Sequence, residues 1–234
     1  MKLSYIIPTL GISPVLDECL MAINKTTKID YEVLLINNGE NPDFKSKINL
    51  PQIQTLFLNE KYHLGKAYNI GIKQATGDWI IFLHDDCILL EKEWYNRPIM
   101  IMELDKSIGL IVGSAFYLEE KNKQYYQTLQ EVDWGQFLPG IIKRENSPLF
   151  DESYIIGHED TDFCFQIHQL NKKVLYYPVG NLHVGGASTE LAKKDLKFRE
   201  IWENGHKYRT KNFLNKHKNL FSKEYILQLE KEIL

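Results

Sequence analysis

The sequence predicts an α/β fold, a mostly parallel sheet flanked by helices, followed by a helical C-terminal extension. Three observations predict it. Short, unbroken apolar runs recur at residues 3–7, 32–36 and 79–83, the pattern of strands buried on both faces. Helical spacing separates them, giving the order strand, helix, strand, strand, helix, strand. Polar residues cluster directly after these runs, where an open α/β sheet binds its ligands.

Bulk properties narrow the function classes. The 234 residues suffice for one large α/β domain or two small ones, and an apolar fraction of 44% supplies a core. A net charge of −3 offers no basic field for nucleic acid, which is excluded as a partner. Cys19, Cys87 and Cys164 have no paired spacing, which points to a reducing compartment and buried thiols. No apolar run approaches the roughly 20 residues of a membrane span, and the N-terminus lacks a signal-peptide run. The expectation is a cytoplasmic protein, with peripheral contact at the inner face of the membrane left open.

Taken in order, residues 3–7 form the first strand, stopped by Pro8. Ser13 is expected to cap the next helix, with Pro14 at its first position and Leu16, Leu20 and Ile23 on its inner face. Residues 32–36 form a second strand ending in the turn Asn37-Asn38-Gly39, and residues 53–58 a third. Gly65 opens a helix to about Ala75, and residues 79–83 are the next strand. Beyond it the pattern loosens. Residues 94–104 read as a helix and 108–118 as a strand or hairpin arm. Residues 121–140 are polar and aromatic without a period, carrying Tyr125, Tyr126, Trp134 and Phe137. Residues 159–170 form a helix and 174–177 a strand ended by Pro178. From about Glu190 the chain reads as helical, with a break near Asn219. The expected division is one domain over residues 1–190 and a helical extension over 191–234 packed on it.

Four polar groups stand at the ends of these elements. They are Pro8-Thr9-Leu10, Asn37-Asn38, His84-Asp85-Asp86, and the helix start Gly157-His158-Glu159-Asp160-Thr161-Asp162. Adjacent carboxylates at the end of a buried strand repel and lose hydration, and a divalent cation relieves both costs. The competing reading of Asp85-Asp86 is a turn with a helix cap. Acids at a helix start are equally explained by the macrodipole. Together, though, Asp160 and the Asp85-Asp86 pair supply a metal site and a general base, the parts that displacement of a phosphate leaving group requires. His183, followed by Gly185-Gly186, is either a satisfied core residue or a ligand beside a close backbone approach. Gly65-Lys66 at a helix start could meet an anion.

These motifs resemble family-2 glycosyltransferases of the GT-A (Rossmann-like) fold. The matching segments are Ser4-Tyr5-Ile6-Ile7-Pro8-Thr9, residues 32–39, residues 59–71 with Ala75-Thr76-Gly77-Asp78, and Phe82-Leu83-His84-Asp85-Asp86. Phe150-Asp151-Glu152 with residues 157–164, and residues 183–188, complete them. The resemblance spans residues 3–190. It implies an inverting enzyme that moves a sugar from a nucleotide-sugar donor to a hydroxyl of a glycan or lipid-linked acceptor, as in bacterial surface polysaccharide synthesis.

On this resemblance Pro8, Thr9 and Asn37 hold the nucleoside, with Gly65 and Asn69 on its far side and Lys66 near the phosphates. Asp86 and His183 bind Mn2+ or Mg2+, and Asp85 faces the ribose or the sugar. Asp160 is the base, with Glu159 the second choice, and Trp134 belongs to the acceptor side. Two positions depart from the family. His84 stands where the first acid of the metal motif is expected. Asn37 replaces the usual Asp, which leaves UDP as the default donor and dTDP as an alternative.

The segment 193–218 holds nine Lys/Arg against three acids, with Phe198, Trp202, Tyr208 and Phe213 interleaved. It reads either as a surface for anionic lipid or as a solvated helix whose aromatics pack on the core. Two other functions compete. One is a catalytically inactive nucleotide-sugar-binding or scaffold subunit. The other is a metal-dependent nucleotidyltransferase, disfavoured because residues 8–14 carry one Gly and no basic residue.

Overall fold

The computed structural model describes residues 1–114 and 128–217. Tyr125, Tyr126, the end of the expected 108–118 strand and the expected break at Asn219 lie outside the described residues. The apolar runs form β1 (Lys2–Thr9), β2 (Asp30–Asn37) and β4 (Trp79–Phe82). With β3 (Ile53–Phe57) they make a parallel ladder in the order β3-β2-β1-β4.

Alternation along these strands divides the core in two. Leu3, Tyr5, Ile7, Val33, Leu35 and Ile81 pack on one face with α1 (Leu16–Thr26) and α3 (Asn96–Leu104). Ile6, Leu34, Ile36, Ile80 and Phe82 face the other way, towards α2 (Leu64–Gln74) and α4 (Glu159–Gln169). Both faces are covered, so the strands carry apolar residues continuously. Each such buried side chain contributes roughly 1.5–3 kcal/mol. Gly71 lets α2 sit close to the sheet, since a Cβ there would lie 2.2 Å from a methyl of Ile6.

The second half of the sheet is mixed. β8 (Gly140–Lys143) lies antiparallel between β4 and β6 (Ile108–Val112). β9 (Lys173–Tyr176) runs parallel to β6, and β7 (Gln130–Glu131) closes the edge antiparallel. Outside this sheet, β5 (Cys87–Leu89) pairs antiparallel with β10 (Asn181–His183). Two helices follow, α5 (Ala187–Ala192) and α6 (Leu196–His217).

Two local expectations are corrected. Pro8 does not stop β1, which continues to Thr9. The carbonyl of Ile6 accepts from the Leu83 N–H on the β4 side, and Pro8 shares that parity. Its missing N–H therefore faces β4 beyond their last paired residues, Ile6 and Phe82, and no ladder bond is lost. Nor does Ser13 cap α1. Val15 holds the N-cap position, and the Ser13 hydroxyl donates instead to the backbone carbonyl of Asp85 at 3.3 Å.

The last turn of α6 is fastened to the first turn of α4. Asp162, fully buried, lies 2.7 Å from His217 Nε2 and 2.8 Å from Lys216 Nζ, and accepts from Gln166 at 2.8 Å. Lys216 also pairs with Asp151 at 2.7 Å, and Asn212 donates to Ser153 at 2.7 Å. Burial acts to raise the Asp162 carboxyl, but the bonds from His217, Lys216 and Gln166 outweigh it and hold the group below its usual range. A carboxylate lowered in the folded state stabilises fully above its unfolded pKa of about 3.9 and loses that effect as pH falls through the folded value. Asp162→Ala should therefore cost about 3–5 kcal/mol at pH 7 in urea unfolding. The gap to wild type should shrink below about pH 4. A gap that stays constant with pH would show that the ion pairs contribute nothing.

Candidate active site

Because β1, β2 and β4 are parallel, their C-terminal ends share one edge of the sheet. Pro8, Thr9 and Leu10 leave β1 there, Asn38 follows β2, and His84-Asp85-Asp86 follow β4. These residues line one cleft of about 300 Å³, within the range of small-molecule sites.

The short β5–β10 ladder brings the distant His183 to this edge. Cys87 and His183 are register partners, and the Val184 N–H donates to the Asp86 carbonyl at 3.1 Å. His183 Nε2 then lies 3.2 Å from Asp86 Oδ1. His84 completes a trio with them, one ligand atom from each lying within 4.8 Å of the others. Burial pushes the His84 imidazole down to about 4, so it is neutral at pH 7 with a lone pair to offer. The donor chemistry of these three residues fits a divalent ion.

Asp85 is held differently. Its carboxylate accepts from Thr9 Oγ1 at 2.6 Å and from Ser188 Oγ at 3.0 Å. Burial is the largest influence on it and pushes its pKa up to about 6. The two carboxylates at the end of β4 thus meet different neighbours, Thr9 and Ser188 hydroxyls for Asp85 and the His183 and His84 imidazoles for Asp86.

The opposite wall comes from the start of α4. Gly157 and His158 adopt φ of 88° and 65°, a left-handed entry into the helix. Gly157 and Glu159 line the cleft. Asp160 is half-buried beside Glu159, and both bonds from Thr161, at 2.7 Å from N–H and 3.3 Å from Oγ1, go to Oδ1. Its second oxygen takes neither. Burial pushes the Asp160 carboxyl up to about 6.

Of the residues singled out in the sequence, Pro8, Thr9, Asp85, Asp86, Glu159 and His183 line the cleft. Asp160, the next residue, is not among the lining residues. Asn37 is turned into its own turn, where Oδ1 accepts from Gly39 N–H and Nδ2 donates to Asn41 O, and its neighbour Asn38 lines the cleft instead. Gly65 packs under residues 150–154, and Asn69 clamps Phe150 through both its N–H and its carbonyl. Lys66 pairs with Glu60, and Trp134 packs against the core face shared with α2.

Other lining residues carried little or no signal. Ser188 closes the glycine-containing stretch, and Phe198 and Trp202 belong to the basic, aromatic tail. These two pack with Tyr62, Leu10 and Ile156 in a small separate cluster over the cleft. Tyr68 gave no signal. It lines the cleft, and its buried hydroxyl has no hydrogen-bond partner among the described residues. Burial first, then Glu159, Asp160, Asp85 and Asp86, push its phenol above the ordinary value. All four carboxylates therefore act on this one ring.

A family model described as glycosyl transferase family 2 matches residues 4–176. A PGL/p-HBAD biosynthesis glycosyltransferase of Mycobacterium bovis is 34% identical over 117 residues, 48% of this chain and 46% of the relative. A GalNAc(5)-diNAcBac-PP-undecaprenol beta-1,3-glucosyltransferase of Campylobacter jejuni is 33% identical over 95 residues, 38% of this chain and 31% of the relative. These matches thus span less than half the length of those relatives. Among solved structures, GalNAc-T7 with UDP, GalNAc and Mn2+ superimposes with a TM-score of 0.63 at 18% identity, over 76% of this chain and 42% of that one. S. aureus TarS 1-349 with UDP-GlcNAc gives 0.57 at 18% identity, over 76% and 56%. The structural likeness establishes the GT-A fold. The family match covers most of the chain, which belongs to glycosyl transferase family 2.

Proposed function

We propose that the protein transfers a sugar from a nucleoside-diphosphate donor to a hydroxyl of a glycan or lipid-linked acceptor, with inversion at the anomeric carbon. The observation that carries this reading is the meeting of Asp86, His183 and Glu159 around one cleft at the strand ends. Those residues come from three remote parts of the sequence. The glycan-building relatives support the acceptor class, and the neighbours solved with UDP or UDP-GlcNAc support UDP over dTDP.

The nucleoside is assigned to Pro8, Thr9 and Asn38, and Asn38 rather than Asn37 offers its amide to the base. Asp85, held by Thr9 and Ser188, faces the ribose or the sugar. Asp86 and His183 hold the divalent ion. When bound, that ion supplies charge stabilisation for the leaving diphosphate. Asp160 takes the proton from the acceptor hydroxyl, with Glu159 forming the wall beside it. One base and no enzyme nucleophile make a single displacement, which inverts the centre. No helix among the described residues is long and apolar enough to cross a membrane.

A base with a pKa near 6 is ionised above that pH and silent below it. Activity, read as kcat/KM, should therefore rise as pH passes through about 6 and then level off. A profile that stays flat down to pH 5 would remove Asp160 from this role. Asp160→Asn should lower transfer by roughly 10²–10⁴-fold while donor affinity, read by calorimetry with UDP-sugar, stays within about twofold. If Asp160→Asn turns over normally and Glu159→Gln does not, the base is Glu159. Wild type that binds UDP-sugar with Mn2+ but never turns over would favour the scaffold reading.

A further inference from the structure

We infer that His84 is a third protein ligand of the divalent ion and that it turns the site towards nitrogen-accepting transition ions, Mn2+ and Co2+, over Mg2+. The inference deepens the proposed function and rests on it for the presence of an ion.

The geometry is fixed by main chain. His84 follows β4, and its carbonyl accepts from the Cys87 N–H at 3.2 Å, closing the turn that carries Asp86. Asp86 is fixed on its other side by the Val184 N–H, the residue after His183. The main-chain positions of three donors from two separate segments are therefore set by turn and ladder bonds. Two ligands of one ion, each at about 2.0–2.2 Å, are at most about 4.4 Å apart. The trio lies within 4.8 Å, so shifts of a few tenths of an ångström close it on an ion.

The neighbouring acid does not compete for this role. Both Thr9 and Ser188 direct their hydroxyls at the Asp85 carboxylate, which is not a member of the trio. Without His84 the protein would offer the ion one carboxylate and one imidazole. With it the set is two imidazoles and one carboxylate. Mg2+ demands oxygen ligands in near-ideal octahedral geometry, whereas imidazole suits later first-row ions. The position where the family resemblance leads one to expect an acid thus becomes a reason for metal preference. The competing explanation is that the His84 and His183 rings, 5.7 Å apart, are merely packed edge to edge.

The test titrates Mn2+, Co2+ and Mg2+ into the full chain with saturating UDP and reads thermal stabilisation. The visible absorption of the Co2+ complex is recorded alongside. Wild type should bind Mn2+ and Co2+ at least tenfold more tightly than Mg2+. His84→Ala should lose Mn2+ affinity by 10-fold or more, since even an outer-shell partner is worth roughly 10- to 100-fold, and should change the Co2+ spectrum. His84→Asp should keep an ion but move its preference towards Mg2+, which also guards against a variant that fails to fold. The inference is overturned if His84→Ala keeps wild-type Mn2+ affinity and Co2+ spectrum while Asp86→Ala loses them. It is overturned as well if Mg2+ binds wild type as tightly as Mn2+. Should wild type bind neither UDP nor any of the three ions, the glycosyl-transfer reading falls instead.

Discussion

Asp85 and Asp86 stand side by side after β4, and they are only 8% and 5% exposed. Two like charges held close together in a buried turn repel each other, and each also loses hydration. The surroundings answer the two charges separately. Thr9 and Ser188 give Asp85 hydroxyl donors, and burial still leaves its carboxyl at about 6. Asp86 is set beside two imidazoles. Each answer draws on a distant segment, β1 and α5 for the first and β10 for the second. The need to settle this pair therefore ties the two halves of the chain together at the cleft.

The acids of α4 show the same division of labour. Glu159 lines the cleft, Asp160 accepts from Thr161, and Asp162 pairs with Lys216 and His217. The macrodipole favours all three, but it does not explain their different partners. Asp162 joins the site to the C-terminal helix. α6 is latched to α4 at one end and contributes Phe198 and Trp202 to the cleft at the other. Of the tail aromatics, Phe198, Trp202 and Phe213 do pack, as one of the two sequence readings had it, though part of what Phe198 and Trp202 pack around is the cleft itself.

The long elements were legible because burial on two faces leaves a continuous apolar run, which a sequence displays directly. The strands that were missed, β5, β7, β8 and β10, are two to four residues long. They owe their existence to partners far along the chain, so no local period marks them. At the site, motif position gave the neighbourhood but not the orientation. Asn37 and Asn38 are indistinguishable as letters, yet one is consumed by its own turn and the other meets the cleft. Asn69 and Gly65 sit in a motif that reads as ligand-facing, and in the fold both contact residues 150–154. His84 read as a departure from the family, and the fold gives it two neighbours that make it a candidate ligand.

Tyr68 is where local consistency fails most plainly. Its ring contacts those of Phe82, Phe137 and Phe150, each of which also contacts Phe163. All four are phenylalanines, so packing alone asks for a fifth. A buried hydroxyl without a partner costs about 1–3 kcal/mol, a sizeable part of the stability of a typical domain. Residues that break a local rule in this way concentrate at functional sites. The only hydroxyl in the set is on the ring that lines the cleft, among carboxylates from both of its walls. The fold therefore carries a local penalty at the point where the His84-Asp85-Asp86 turn and the start of α4 approach each other, which is the place where a site built for chemistry, rather than for stability alone, would show one.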